Sequence, residues 1–386
     1  MSRPSPLSSL VLLLSASLRL TSATPTLTDD SKCGCYLTNG TIKDFFTSHE
    51  FYDFRDLSQY EGIPQVLTDS DASANAPLSS NYFTTTDWNN SWTIQAWNTS
   101  ISGARTDASV VRVNSPQNVY IEANTDPSPN PSSKTYLTLR TARLDEFQTS
   151  AEIESKSTTY RFLSVRMLAR TIGSAGAVTA MFTYRGGATE AEVQEADLEI
   201  LTKDPRSLVR YTNQPSVSPE GDVVAKATVN ATLPNGLERS DWAVHRLDWT
   251  PTQSTWYVDG AQTANISFQV PRDPAQVILN AWSDGGGWSG NMSLGGAAYM
   301  QIQWVEMVYN LTQAGEKKKG RRDGAEEGCK AVCSVDETSK TGQPVMLWDT
   351  SGAAGGAGGP GAPGTSQGAV RWIPMGLVLG MVVLSW

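Results

Sequence analysis

Ten times between Ser109 and Asn310 the sequence returns to a short run of β-branched and aromatic residues, cut off each time by Gly, Pro, Asn, Asp or Ser. The runs are SVVRVN, NVYIEAN, TYLTLRTA, TYRFLSVRMLAR, AVTAMFTYRGG, EADLEILT, HRLDWTP, STWYVDGAQT, QVILNAWSDGG and AYMQIQWVEMVYN. Short strands at regular spacing with turn signals between them predict an all-β sandwich. No long amphipathic pattern interrupts them, and no repeat of solenoid period occurs. The Asp259-Gly260 pair in YVDG predicts a tight hairpin, because such turns need positive φ. A charged fraction of only 18%, with 32 Gly, 12 Trp and 12 Tyr, fits a turn-rich β protein.

Four cysteines flank this region in two tight pairs, Cys33 with Cys35 and Cys329 with Cys333. An even count in an oxidising compartment implies disulfides. A Cys-x-Cys ring is strained, so the pattern favours both N-terminal cysteines bonding to both C-terminal ones, clamping the ends of one domain. Two local bridges, or a zinc site, are the alternatives. Residues 1–23 have Arg3, an apolar stretch at Leu10–Leu18 and small residues at 21–23, the layout of a secretory signal peptide. Residues 24–350 then make the folded domain. Residues 351–370 are a Gly/Ala/Pro-rich spacer, and 371–386 are an apolar tail, short for a spanning helix and with no basic residues after it. Together they resemble a glycosylphosphatidylinositol (GPI) attachment signal with its site between Gly361 and Gly368; a tail anchor or an inert tail is the alternative. Sequons begin at Asn39, Asn89, Asn98, Asn230, Asn265, Asn291 and Asn310, as a secreted chain would carry. Arg321-Arg322 lies in a charged run read as a solvated loop, with a processing site as the second reading. The net charge of −9 implies no basic surface and excludes nucleic acid as a natural partner.

One short stretch points to chemistry. VQEADLEILTKD places Glu195, Asp197 and Glu199 at a spacing of two, with Ala196, Leu198 and Ile200 between and after them. On a strand, alternate residues share a face about 7 Å apart, so three carboxyls line one side and the apolar residues pack behind. That arrangement costs repulsion if all three ionise, which a structural strand has no reason to accept. A site that needs carboxyls with separated pKa values does. A solvated edge strand is the bland alternative. Glu152 and Glu154 in SAEIES repeat the spacing without a third acid, and are read as a decoy.

Several motifs in order carry a family resemblance: EADLEILTKDP, VRYTNQPS, HRLDWTPTQSTWYVDG, LNAWSDGGGWSGNMS and AYMQIQWVEMVYN. From about Asn81 to Asn310 the chain resembles secreted fungal members of glycoside hydrolase family 16, whose core pattern Glu-x-Asp-x-Glu matches Glu195, Asp197 and Glu199. The resemblance implies a concanavalin A-like jelly roll with a cleft on its concave side. It also implies cleavage of β-glucan or a related wall polysaccharide with retention of configuration. Glu195 would be the nucleophile, Glu199 the general acid/base and Asp197 the group that tunes them. Retention needs two carboxyls about 5–5.5 Å apart, so Glu195 and Glu199 must lean toward each other. Glu199 must also start protonated, which negative neighbours favour.

Trp282, Trp288, Trp249 and Tyr184 are candidates for stacking on sugar rings, whose apolar C–H faces suit an aromatic plane. For Trp249 a core position is the stronger expectation; Trp282 and Trp288, beside Gly-rich SDGGGWSG, are expected in the cleft. His245, four residues before Trp249, is a candidate cleft residue or a plain strand residue. Phe182 and Tyr184 stand where many members have Trp, which leaves the linkage open. His49 has no place in this scheme. No cofactor and no metal is implied, and the expected partners are a polysaccharide and, through the anchor, a membrane; the expected state is a monomer. Two other functions use the same fold: a transglycosylase that passes the sugar to another sugar, and a lectin-like wall protein without chemistry. The intact triplet speaks against the second.

Overall fold

The computed structural model describes residues 25–98, 106–127, 133–218, 220, 222–312 and 329–350. Two antiparallel sheets face each other. The inner sheet runs Trp92–Ile94, Phe147–Ser155, Gln276–Trp282, Val178–Arg185, Gln194–Leu201, Leu208–Gln214 and Thr228–Thr232. The outer sheet runs Val119–Ala123, Thr135–Arg143, Ala297–Leu311, Tyr160–Gly173, Ala243–Trp249, Ser254–Val258 and Ala261–Ile266. Ser48–Asp53 pairs with the second half of Ala297–Leu311. The Phe147–Ser155 strand joins the two sheets. Its first half pairs with Val111–Asn114 and Thr135–Arg143, its second half with Trp92–Ile94 and Gln276–Trp282. The result is the all-β jelly-roll sandwich expected from the pattern of short runs.

Strict alternation builds the core. Ala151 and Ile153, Leu279 and Ala281, Met181, and Ala196 and Leu198 point inward from the inner sheet, all buried. Val165, Leu247 and Ile302 meet them from the outer sheet. Trp249 belongs here too, fully buried, with its indole N–H donating to the Pro271 carbonyl at 2.8 Å. The hairpin at YVDG forms as expected, with Asp259 at φ 47° and Gly260 at φ 77° between Ser254–Val258 and Ala261–Ile266. Several strands escape the sequence pattern, among them Ser48–Asp53, Trp92–Ile94, Phe147–Ser155, Leu208–Gln214 and Thr228–Thr232.

A third, smaller sheet carries the cysteines. Its order is Thr26–Leu27, Val345–Asp349, Ala331–Ser334, Cys35–Leu37 and Phe45–Phe46. Cys33 bonds Cys333 and Cys35 bonds Cys329, so the clamp between the two ends is real. Beneath it the solvent-side face of the outer sheet is ionic. Arg166 pairs with Glu306 and with Asp336, and Arg246 with Asp248 and Asp336. His49 bridges Asp30 at 2.8 Å and Glu306 at 3.0 Å. Burial alone would push its pKa down, but the two carboxylates outweigh burial and hold it at about 9. His49 is therefore a structural cation. The charged run around Arg321-Arg322, the signal-like N-terminus, the spacer and the apolar tail lie outside the described residues.

Both disulfides join the same two short segments, 300 and 294 residues apart. Either one alone closes the large loop, so the second adds little chain entropy. Replacing Cys35 and Cys329 by Ser should shift the denaturant midpoint slightly. Replacing all four should cost about 2–5 kcal/mol. Equal shifts for the two variants would contradict a shared clamp.

Candidate active site

The cleft floor is the other face of the inner sheet, and the register arranges it in rows. One row reads Glu152, Asn280, Ala180, Glu199 across four neighbouring strands. The next reads Glu154, Ile278, Phe182, Asp197, and beyond it Tyr184 lies beside Glu195. These side chains, with Trp282 and Arg112, line a cleft of about 330 Å³. Because Ala196, Leu198 and Ile200 pack in the core behind, the three acids of Gln194–Leu201 have no alternative to this face.

Asp197 is buried, while Glu195 and Glu199 are half-buried. Burial pushes Glu195 up, a hydrogen bond with Asp197 pulls it back, and the Glu199 charge adds to the rise; the balance is about 7. Asp197 stands well above the usual carboxylate range, through burial first and then the charges of Glu195 and Glu199 and its hydrogen bond to Glu195. The two shifts have one meaning. Both carboxyls hold a proton more tightly than usual, and a proton placed on Asp197 and directed at Glu195 would favour Glu195 as the carboxylate. Glu199 takes a different partner: the Trp288 indole N–H donates to its Oε1 at 3.2 Å. Trp288 is in turn capped by the Arg210 guanidinium, 5.0 Å from the ring, and Arg210 is held by Asp204 at 2.8 Å.

Tyr184 and Trp282 line the cleft. Trp288, expected in the cleft, is not among its lining residues; it packs against a small apolar cluster and reaches the site only through its indole N–H on Glu199. The Arg112 guanidinium lies between Trp97 and Trp282, 4.8 and 5.2 Å from the two rings. Phe182 lines the floor beside Asp197. His245 does not belong to the site. It is buried on the outer sheet, in a small core cavity with Met167, Leu198 and Met300. Burial drives its pKa down to about 4, so it is a neutral core residue. Its neighbours Arg246 and Asp248 face the ionic layer under the clamp, and alternation sends His245 the other way.

Glu152 and Glu154 are cleft residues and not a decoy. Glu152 accepts from Asn280 Nδ2 at 3.1 Å and from Asn114 Nδ2 at 3.4 Å. Glu154 accepts from Gln276 at 3.2 Å and is pushed up by burial and by the Glu152 charge. The signal was present in their spacing, which repeats that of the triplet. What was missing was the strand order that places Phe147–Ser155 in the same sheet. The cleft lining thus has five acids against one arginine, so it suits a neutral ligand offering hydrogen-bond donors, such as hydroxyl groups.

Residues 111–306, just over half of the chain, match the family model Glycosyl hydrolases family 16. The chain belongs to glycoside hydrolase family 16. Among curated relatives, a β-glucanase of Paenibacillus macerans is 28% identical over 140 residues, covering 35% of this chain and 54% of that protein. A β-glucanase of Bacillus subtilis (strain 168) is 27% identical over 150 residues, covering 38% of this chain and 57% of that protein. The match thus spans about half the length of these relatives. A solved Bacillus licheniformis β-glucanase aligns over 58% of this chain and 93% of its own, at 20% identity and a TM-score of 0.44. The family 16 match covers the triplet strand, both partner strands that complete the cleft floor, and the strand of Glu152 and Glu154.

The raised pKa of the Glu195 carboxyl can be tested directly. In protein labelled with ¹³C at the glutamate side-chain carboxyls, one resonance should titrate near pH 7 and vanish in Glu195→Gln. Titration of that resonance near 4.5, the ordinary value, would contradict the proton sharing described above.

Proposed function

We propose that this family 16 chain is a retaining glycoside hydrolase that cuts within β-glucan or a related wall polysaccharide. The observation that carries it is the row of three carboxyls, the middle one buried, on the floor of a cleft lined also by Phe182, Tyr184 and Trp282. Glu195 attacks the anomeric carbon and forms a glycosyl ester, while Glu199 gives its proton to the departing sugar oxygen. Glu199 then takes a proton from water, which attacks the same carbon and releases Glu195. Asp197, by donating to Glu195, keeps the nucleophile ionised and relieves repulsion within the triplet. Tyr184 and Phe182 offer faces to sugar rings, and Glu152 accepts from hydroxyls.

The site of action we propose is extracellular, at a surface to which the tail anchors the chain. Two observations support it. Two disulfides suit an oxidising compartment. Six sequon asparagines, Asn39, Asn89, Asn98, Asn230, Asn265 and Asn291, are exposed. Asn310 differs: it is half-buried, with its side-chain N–H donating to the Phe45 carbonyl at 3.1 Å. Glycans therefore belong at the first six and not at Asn310.

The experiment separates the two glutamates. Glu195→Gln should abolish turnover of glucans, since an amide is a poor nucleophile. Glu199→Ala should stop cleavage of natural glucans but still accept an activated aryl glycoside, which needs no proton to leave. Added azide, needing no base, should then restore turnover and yield the β-glycosyl azide. An α-azide from Glu199→Ala would exchange the two roles. Wild-type-like glucan cleavage by Glu195→Gln would remove the proposal.

A further inference from the structure

The neighbouring strand Leu208–Gln214 ends beside the triplet, with Gln214 opposite Glu195 and Thr212 opposite Asp197. Gln214 is not part of the cleft lining, yet its side chain reaches the most buried of the three acids. Its Nε2–H donates to Asp197 Oδ2 at 3.4 Å. An amide side chain can present either its N–H or its carbonyl to a neighbour, and what fixes the choice is its other end. Here Gln214 Oε1 accepts the backbone N–H of Ser216 at 2.8 Å. The carbonyl is committed, so only the N–H can face Asp197.

The consequence falls on Asp197. Its Oδ2 is held as an acceptor. Its Oδ1 is buried and no donor reaches it, and the neighbouring Glu195 carboxyl interacts with Asp197 both as a charge and as a hydrogen-bonding group. Two carboxyl groups can share a hydrogen bond only when one of them carries the proton. An oxygen that is buried, beside another carboxyl and without a donor is satisfied if it is itself the donor.

We propose that Gln214 is a positioning residue that fixes the proton of Asp197 on Oδ1, aimed at Glu195, by occupying Oδ2. This rests on the hydrolase reading above and adds the device that selects the protonated oxygen. Without the amide, the proton could sit on either oxygen, and in one of the two arrangements Glu195 would lose its donor. Other charged groups face the triplet but do not perform this selection. Glu199 is on the same strand, Glu152 and Glu154 lie across the floor, and Tyr184 stands beside Glu195. Arg112 lies at the far wall against Trp282, and Arg210, opposite Glu199, is engaged with Asp204 and Trp288.

The test is the pH profile of kcat/KM on a soluble β-glucan for the wild type, Gln214→Met and Gln214→Glu. Gln214→Met keeps the volume and removes the donor. Glu195 should then hold its proton more tightly, moving the acid limb to higher pH by roughly 0.5–1 unit and lowering acid-side kcat/KM about 3–10-fold. On the alkaline side of that limb the rate should be near wild type, and KM should change little. Gln214→Glu places an acceptor where the donor was, which draws the Asp197 proton to Oδ2, away from Glu195. Its acid limb should move further than that of Gln214→Met. A uniform fall at every pH, unshifted limbs, or a shift toward acid would overturn the proposal. If the wild type cleaves no glucan at all, the hydrolase reading fails instead; if only the order of the limbs fails, the role of Gln214 falls and that reading stands. Melting temperatures across the three proteins separate a folding defect from a moved limb.

Discussion

Everything at the site depends on the register of the inner sheet. Alternation along each strand puts one set of residues in the core and the next on the cleft floor, and a slip of one residue would exchange them. The core set on the four central strands is mainly apolar, with Ile153, Leu279, Met181 and Leu198 all buried and Thr179 and Thr183 the buried polar members beside Met181. The floor set is where the polar residues can go, and cross-strand pairing then decides who meets whom. Glu199 stands two strands from Asn280 and three from Glu152 because Ala180 pairs with both Glu199 and Asn280. The hydrophobic effect thus fixes the position of carboxyls it never touches.

The cost of that arrangement is electrostatic. Five acids line one cleft, and burial adds to their mutual repulsion. Protons relieve it, since Asp197 and Glu195 both hold theirs more tightly than ordinary carboxyls. A carboxyl whose folded pKa is raised stabilises the fold below its unfolded pKa, and that contribution is lost as pH rises through the folded value. For Glu195 the window runs from 4.5 to about 7. The cleft therefore weakens the fold toward neutral pH. The opposite case lies under the clamp, where a protonated His49 bridges Asp30 and Glu306. Its contribution is complete below 6.5 and lost as pH rises toward about 9. The same physics, burial of charge, thus strains the site and fastens the clamp, and the difference is whether an opposite charge is present.

The clamp also explains how a sandwich keeps a polar outer face without leaving it to water. Arg166, Arg246, Glu306 and Asp248 lie on outer-sheet strands, and the small cysteine sheet covers them, contributing Asp336 to both arginines. Two covalent bonds hold that cover in place across nearly the whole domain.

Much of this was legible in the residues. Strand-length apolar runs and turn signals pointed to a β-sandwich, an architecture that buries one face of each of many short strands. The spacing of Glu195, Asp197 and Glu199 determined that they share a face, because side chains on a strand repeat every two residues. The crowding of cysteines at both ends pointed to a clamp. Tertiary structure alone decided the rest, because alternation states which residues share a face but not which face looks into the cleft. His245 and Trp249 have the same parity, and both turned inward to the core. Glu152 and Glu154 have the triplet's spacing, and both turned to the cleft. Trp288 offers its N–H to Glu199, and Gln214 meets Asp197, through loop and strand neighbours far apart in the chain. Spacing is local and is written in the sequence; strand order and register are set by the packing of the whole core.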